Sequence, residues 1–408
     1  MSVSYGEDEA DLGAAGNAFI NALYEQAAAE GVSIFVAAGD SGAASTDQNA
    51  TDATHGITTS GFATTPYNVA VGGSDFGDTF AGTNSQYWAA SNSSGYASAL
   101  SYIPEIPWND SCASGLLTSF DGFSTAYGLA GFCNSATAQN QNLLDTAAGG
   151  GGPSGCARGA AAQAGIVSGS CAGYAKPSWQ SVVGNPDDGL RDIPDLALFA
   201  ADGVWGHYYV FCYSDVKRGG ASCAGAPSGW AGGGGTSFAA PIMAGIQALA
   251  DENAGARQGN PAPFYYALAD AEYGPGGDPA CASNRADGPD PSCIFYDLVE
   301  GDNDVVCTGA HDCYRPAGTY GVLSAATGSL STAYAAAPGW DFASGIGGVN
   351  AANLVNAFAS NTPTPTATVT ASASATPTMT PTAAPTATPS ATSSPTPTPM
   401  GFLIEQPD

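Results

Sequence analysis

A serine follows a run of glycines and opens a stretch with helical periodicity. The segment reads Gly234-Gly235-Thr236-Ser237-Phe238-Ala239-Ala240-Pro241, and apolar residues then recur at Ile242, Ile246 and Leu249. A serine at a helix N-terminus lies beside unpaired amide N–H groups and the positive end of the helix dipole, which stabilise developing negative charge. The glycines let a substrate backbone come close. The pattern favours a nucleophilic role for Ser237 over a simple N-cap after a flexible loop.

A carboxyl group follows a predicted buried strand upstream. Residues 32–38 read Val-Ser-Ile-Phe-Val-Ala-Ala, a run rich in β-branched and apolar types, and they lead into the turn Gly39-Asp40-Ser41-Gly42. A carboxyl group donates a hydrogen bond to an oxyanion only while it is protonated. Asp40 therefore suits an enzyme that works in acid, or one that raises this pKa by burial and a nearby charge. An ordinary aspartate in a β-turn is the alternative.

These two motifs together resemble those of the subtilase clan, which includes the subtilisins and the sedolisins, or serine-carboxyl peptidases. Subtilisins use a histidine base and an oxyanion-hole asparagine, whereas sedolisins use a glutamate base held by an aspartate and a second aspartate in the oxyanion hole. Asp40 stands where a subtilisin would carry asparagine. His55 and His207 have neither the order nor the neighbours of a subtilisin base, and His207 is predicted to pack in or near a strand. The resemblance to sedolisins implies an acid-acting serine endopeptidase with Ser237 and Asp40 as catalytic residues.

The base-bearing helix of the sedolisins has no match in this sequence. In that family a Glu-x-x-x-Asp helix precedes a Ser-x-Ser-aromatic-Gly strand, which corresponds here to Ser2-Val3-Ser4-Tyr5-Gly6. Glu7 and Asp11 have i, i+4 spacing, but they follow that strand, and acidic residues at a helix start ordinarily complement the dipole. We therefore expect a peptidase domain that lacks its N-terminal part and is essentially inactive alone.

Two acidic segments near the C-terminus resemble the calcium site of the sedolisins. Residues 295–303, Phe-Tyr-Asp-Leu-Val-Glu-Gly-Asp-Asn, match the segment that opens that site, and residues 337–341, Ala-Pro-Gly-Trp-Asp, match the one that closes it. The resemblance implies one Ca²⁺ held by carboxylates of Asp297 and Asp341 and by backbone carbonyls of Leu298, Ala337 and Gly339. Calcium prefers hard oxygen ligands of these kinds. Solvated acidic turns are the alternative.

The predicted fold is α/β: a subtilisin-like parallel sheet flanked by helices, with a Cys-containing, loop-rich insertion over much of residues 79–189 and a disordered C-terminal linker. Apolar residues recur at helical spacing before a stop at Gly31: Leu12, Ala15, Phe19, Leu23 and Ala27. Strand, helix and strand in this order predict a parallel crossover. Further strands are predicted at residues 67–71, 193–199 and 208–211, and a last helix at 351–358.

Composition divides the chain into a peptidase-like domain at residues 1–360, a linker at 361–400 and a short tail at 401–408. The linker is rich in Thr, Pro, Ala and Ser, and it cannot bury enough apolar surface to offset the entropy of ordering. The 10 cysteines suggest an extracellular disulfide framework, although pairing does not follow from sequence alone. The natural local pairs are Cys112/Cys133, Cys156/Cys171, Cys212/Cys223, Cys281/Cys293 and Cys307/Cys313.

Charge and hydropathy argue against nucleic-acid-binding and membrane proteins. Lys and Arg total 8 against 36 Asp and Glu, a formal net charge of −28, which argues against binding of nucleic acid or anionic membranes. No apolar stretch is long enough to span a bilayer, and no signal peptide is visible in this chain. We expect a secreted monomer that acts on proteins or peptides. A secreted, non-catalytic binding or surface module that keeps the fold and calcium site is the second hypothesis.

Overall fold

The computed structural model describes residues 1–218, 220, 223–225, 227, 230–359 and 403–405. Its central sheet contains five strands: β1 (Ser2–Val3), β2 (Phe35–Ala37), β3 (Val69–Phe76), β4 (Glu105–Pro107) and β7 (Leu196–Phe199). β1, β2, β3 and β7 run parallel, and β4 pairs antiparallel with the end of β3. Because parallel strands share their carboxyl edge, the turns after β2 and β7 lie on one side of the sheet.

Helices cover both faces of this sheet, as the period-2 pattern of β2 requires. Phe35 is buried in a cluster with Met243 of α6 (Thr236–Ala254), whereas Val36 is buried in a second cluster with Tyr24 of α1 (Glu9–Ala29). The α6 cluster also includes side chains of α7 (Ala262–Tyr273) and α8 (Ala351–Ala359). The predicted α/β architecture, a parallel sheet flanked by helices, is confirmed.

The predicted apolar face of α1 is only partly buried: Ala27 packs against the cluster that contains Tyr24. Phe19 and Leu23 are 63% and 45% exposed, and the buried side of the helix instead carries Asn17 and Tyr24. Gly13 has φ 63° and ψ 169°, which breaks the helix after its first turn and separates Leu12 from the later residues. The periodicity that joined Leu12 to Ala27 therefore ran across two helical segments with different orientations.

The apolar face predicted for α6 is also displaced. Leu249 is 56% exposed, and Ile242 and Ile246 are only half-buried. The fully buried positions are instead the small or flexible side chains Ala239, Ala240, Met243, Gln247 and Ala250. Alanines let a helix approach the sheet closely, so the tightest contact follows the small residues rather than the branched ones.

The remaining strands form small sheets around the central one. The predicted strand at residues 193–199 divides at Pro194, which has no N–H to donate to a ladder. Its first part, β6 (Asp192–Ile193), pairs with β5 (Gly152–Pro153), and its second part is β7. The other strands are β8 (Tyr208–Phe211), β9 (Ala231–Gly233), β10 (Phe295–Tyr296), β11 (Val306–Cys307), β12 (Cys313–Tyr314), β13 (Gly321–Leu323), β14 (Gly348–Val349) and β15 (Leu403–Glu405).

The region predicted as an insertion is mostly loop with four short helices. These are α2 (Asp78–Ala81), α3 (Asn84–Tyr87), α4 (Gly115–Phe120) and α5 (Ala136–Asn140). All five predicted disulfides form, between the pairs that lie nearest in sequence. Within the described ranges, no helix has the length and apolarity to cross a membrane. The predicted linker at 361–400 lies outside them, as does the tail apart from β15.

Candidate active site and candidate calcium site

The fold brings the two predicted catalytic residues to one cavity. Asp40 lies in the turn after β2, and Ser237 is the second residue of α6, which packs on the same sheet. Both line a cavity of about 260 Å³, together with Ser4, Tyr5 and Gly6 from the segment after β1. Residues that are far apart in sequence therefore meet at the carboxyl edge of the sheet, where open α/β folds bind ligands.

Thr236, which the sequence argument did not single out, fixes the geometry between Asp40 and Ser237. Its backbone N–H and its hydroxyl each donate to Asp40 Oδ1 at 2.7 Å. The Thr236 hydroxyl lies 3.1 Å from the carbonyl oxygen of Gly39 and 3.3 Å from the amide nitrogen of Gly39. Because Thr236 is fully buried and immediately precedes Ser237, it attaches the Asp40 turn to the start of α6.

Gly235 is required where the chain passes Asp40. It has φ 106°, and a Cβ at this position would lie 2.8 Å from Asp40 Oδ2. A larger residue would therefore be strained and would push the carboxyl group away. The glycine that sequence reasoning assigned to substrate approach also makes room for Asp40.

Asp40 is arranged to hold a proton. Burial raises its pKa above the ordinary value, the hydrogen bonds from Thr236 oppose that effect, and the negative charge of Asp202 adds to it. Both donors from Thr236 reach Oδ1. Oδ2 is therefore the oxygen left to carry the proton and to donate a hydrogen bond.

The backbone and the side chain of Ser237 are available for chemistry. Ser237 stands in the first turn of the 19-residue helix α6, where the amide N–H groups lack intrahelical acceptors. Within the described residues, neither its amide N–H nor its hydroxyl makes a hydrogen bond, and its carbonyl accepts one from Ser4 Oγ at 2.9 Å. The Ser237 hydroxyl, the Ser237 amide N–H and the Asp40 carboxyl group therefore border the same cavity, where they could act as a nucleophile and two hydrogen-bond donors.

No general base is found in the described wall of this cavity. Asp40 is the one acidic side chain among the described lining residues, and they include neither histidine, Glu7 nor Asp11. His55 Nδ1 lies 2.7 Å from Asp47 Oδ1. His207 lies buried immediately before β8, as predicted for a packing role.

The predicted calcium residues also come together. Asp297 follows β10, and its Oδ2 accepts a hydrogen bond from the Gly339 amide at 2.8 Å. Asp341 Oδ2 accepts one from the Ala337 amide at 2.8 Å, while its Oδ1 accepts from the amides of Ala343 and Ser344 at 2.9 and 2.8 Å. The two acidic segments are thus joined through the turn at residues 337–341.

Several oxygens at this turn fit a hard cation. Asp297 Oδ1 is buried and has no hydrogen-bond partner among the described residues. In the same ranges, no donor reaches the carbonyl oxygens of Leu298, Ala337 or Gly339. A buried oxygen without a donor costs free energy, and a bound cation would remove that cost. The donor set, two carboxylates and three carbonyls, is of the kind that calcium prefers.

Burial also affects the charge of the two acids at this turn. Burial raises the pKa of Asp297 and that of Asp341 to about 7, partly opposed by the backbone amides that donate to them. None of the ion pairs in the described residues involves either carboxylate. The described part of the chain therefore supplies no positive side chain to balance these two acids when they ionise.

Sequence reasoning also missed a buried ion cluster that links the insertion to the sheet. His207 Nδ1 lies 3.1 Å from Asp75 Oδ1, and its Nε2 lies 3.2 Å from Asp78 Oδ1, with all three side chains buried. Burial alone would disfavour the imidazolium, but hydrogen bonds and charge from Asp75 and Asp78 raise the pKa of His207 to about 9. The signal in the sequence was weak: a single histidine beside a strand and two aspartates far upstream.

Comparison with known proteins finds similarity at the level of structure. No family model and no curated protein matches the sequence. The structure is similar to that of a Pseudomonas sedolisin (serine-carboxyl proteinase) complexed with two molecules of pseudo-iodotyrostatin, with 21% identity and a TM-score of 0.47. The match covers 88% of this chain and 65% of the sedolisin chain, so this chain spans less than two thirds of that protein's length.

Proposed function

We propose that the chain carries the nucleophile and oxyanion hole of a secreted, acid-acting serine endopeptidase of the sedolisin type. The observation that carries this proposal is the shared cavity of Ser237 and Asp40, with Thr236 holding the Asp40 carboxyl group beside the start of α6. The motif resemblance supports the same roles. Five disulfides support an oxidising, extracellular setting.

The chemistry is acyl transfer from a peptide bond. Ser237 Oγ attacks the carbonyl carbon of the substrate, and its proton passes to a general base. The carbonyl oxygen becomes an oxyanion, which the Asp40 Oδ2–H and the Ser237 amide N–H stabilise by hydrogen bonds. Collapse of the intermediate expels the amine, whose nitrogen takes the proton back from the base, and leaves an acyl-serine. Water then attacks this ester, releasing the carboxylic acid and restoring the Ser237 hydroxyl.

The base in this scheme is a glutamate held by an aspartate, as the sedolisin resemblance implies. The described cavity wall does not supply it, so we expect slow turnover from these residues alone. A serine without its base is a weak nucleophile, although the oxyanion hole retains a small part of the rate enhancement. Binding of a transition-state analogue is therefore a better test than turnover.

We further propose that one Ca²⁺ binds Asp297, Asp341 and the carbonyl groups of Leu298, Ala337 and Gly339. The buried, unpartnered Asp297 Oδ1 supports this proposal. The ion would balance two buried carboxylates and connect the segment after β10 to the turn at residues 337–341. We assign the ion a structural role and no part in the acyl-transfer chemistry, because none of these five residues lines the Ser237 cavity.

The test uses a peptide aldehyde and the matching peptide alcohol. Addition of the Ser237 hydroxyl across the aldehyde carbonyl gives a hemiacetal that resembles the tetrahedral intermediate, whereas the alcohol cannot react. We expect the intact chain to bind the aldehyde about a hundredfold or more tightly than the alcohol, and Ser237→Ala to remove that preference. Calorimetry at pH 4 gives both affinities.

The second hypothesis, a non-catalytic binding module, predicts a different result. Aldehyde and alcohol would then bind equally, and Ser237→Ala would have no effect on either. A Ser101→Ala variant is the matched control, because Ser101 is an exposed serine outside the cavity. Equal affinities in the parent chain would reject the proposed nucleophile.

A further inference from the structure

Three acidic side chains meet where β1 leads into α1. The carboxylates of Glu7, Asp8 and Asp11 offer oxygens that all lie within 4.8 Å of one another. Asp8 is the N-cap of α1, so the first helical turn places Asp11 beside it, and Glu7 precedes it in the chain. Glu7 and Asp11 are exposed, whereas Asp8 is fully buried.

One oxygen of the buried carboxylate has no partner. Asp8 Oδ1 accepts hydrogen bonds from the amides of Ala10 and Asp11 at 2.8 and 3.1 Å, which is an ordinary helix cap. Asp8 Oδ2 is buried and receives no hydrogen bond within the described residues. Capping accounts for the burial of Oδ1 only. Burying Oδ2 without a donor costs free energy, and the helix cap does not offset that cost.

The charge of this cluster is also unbalanced. No ion pair in the described part of the chain involves any of the three carboxylates. The three carboxylates together carry a charge of about −3 when all are ionised, and the single helical turn before the break at Gly13 offsets only a small part of it.

We propose that Glu7, Asp8 and Asp11 bind one hard divalent cation of the calcium class. The buried Asp8 oxygen and the two exposed carboxylates supply oxygen ligands on one side, and water completes the coordination from the solvent side. Calcium accepts six to eight oxygens in irregular arrangements, which suits a shallow site of this kind. The site is separate from the Asp297–Asp341 turn, and it does not depend on the proposed peptidase activity.

Binding here would stabilise one wall of the Ser237 cavity. The Gly61 amide donates to the Glu7 carbonyl at 2.9 Å, and Asp8 forms a bridge with Ser60, which lines that cavity. Ser4, on the same segment, bonds to Ser237. A cation at the start of α1 would therefore hold the segment that connects β1 to α1.

The test counts calcium ions bound per chain. The full chain, freed of metal, is titrated with CaCl₂ at pH 7.5 by calorimetry, beside the double variant Glu7→Gln/Asp11→Asn. Both substituted side chains are exposed, so the variant keeps the Asp8 cap and the core. We expect the variant to bind one Ca²⁺ fewer than the parent chain.

A matched control removes the same charge elsewhere. Glu252→Gln/Asp270→Asn changes two exposed acids on α6 and α7, and we expect it to bind as many ions as the parent. An unchanged number of ions in Glu7→Gln/Asp11→Asn overturns the proposal, as does an equal loss in the control. Circular dichroism verifies folding, and the single variants replace the double variant if it does not fold.

Discussion

Asp40 and the Asp297–Asp341 pair are buried carboxyl groups of one protein for which we propose different chemistry. In both places burial raises the pKa, and backbone amides donate to the carboxyl oxygens. Asp40, however, borders a cavity that Ser237 also lines, whereas Asp297 and Asp341 do not line that cavity. A proton suits the first environment because it makes the acid a donor. We propose a cation for the second, because Asp297 Oδ1 is buried without a donor and neither acid has an ion pair within the described residues.

A third group of buried acids completes the comparison. Asp75 and Asp78 are paired with His207, so the protein supplies their positive charge itself. Burial therefore does not by itself indicate a function. The donors and acceptors around each carboxyl group decide whether a proton, a metal ion or a protein side chain stabilises it.

The largest effect on stability is expected from removing the positive charge of the buried His207 side chain. His207→Gln leaves Asp75 and Asp78 buried without a positive charge, and we expect a loss of about 3–5 kcal/mol in the free energy of unfolding. The matched variant His55→Gln breaks a pair whose histidine is 37% exposed, and we expect about 1 kcal/mol or less. Urea unfolding of both variants at pH 6 measures the difference, and equal losses would contradict the comparison.

The pH dependence of this cluster has a definite sign. The folded-state pKa of His207, about 9, is above the ordinary value of 6.5, so folding favours the imidazolium. Its contribution to stability is full below pH 6.5 and is lost as the pH rises through about 9. We expect the gap between parent and His207→Gln to narrow between pH 6.5 and pH 9.5.

The next effect concerns the proton on Asp40. Asp40→Ala removes one donor from the oxyanion hole, and we expect about a hundredfold weaker binding of the peptide aldehyde at pH 4, near 3 kcal/mol. In the parent chain, binding should weaken as the pH rises through the raised pKa of Asp40, because the carboxylate repels the adduct oxygen.

Asp40→Asn is the matched control for that experiment. An amide keeps a hydrogen-bond donor at every pH, so we expect Asp40→Asn to bind the aldehyde with little pH dependence. Calorimetry from pH 3 to pH 8 compares the two profiles. The assigned role is wrong if Asp40→Asn shows the same decline with pH as the parent chain.

The sequence predicted those features that depend on neighbouring residues. The strand before Asp40, the glycine run before Ser237 and the helix start are local patterns, and the structure contains all three elements. The close cysteine spacing also led to the correct disulfide pairs, because short loops bring those residues together.

Features that depend on contacts between distant segments were not predicted. Nothing local to Thr236 indicates that its hydroxyl meets Asp40, and His207 lies far in sequence from Asp75. The exposed Phe19 shows the same limit, because packing buries Asn17 and Tyr24 of this helix instead. The spacing of apolar residues predicts that a helix has an apolar face, but contacts with the rest of the fold determine which face is buried.

The smallest effect is the calcium dependence of stability, which we expect to grow with pH. Asp297 and Asp341 have folded-state pKa values of about 7 against an ordinary 3.8, so between these limits the folded state binds more protons than the unfolded state. The metal-free protein therefore loses stability as the pH rises from about 4 to 7. Calcium competes with those protons and stabilises the fold by about 2.7 kcal/mol at one hundred times its Kd.

The measurement is the melting temperature with CaCl₂ and with a chelator at pH 4 and pH 7.5. The Glu7→Gln/Asp11→Asn background is used so that only the Asp297–Asp341 site responds. We expect a small calcium effect at pH 4 and a clear increase in Tm at pH 7.5. Adding Asp297→Asn should abolish that increase, because the amide keeps the bond from Gly339 but removes one charged ligand. Equal melting temperatures with calcium and with chelator at pH 7.5 would show that these buried acids are stabilised by protons, as Asp40 is, and would remove the distinction between the two regions.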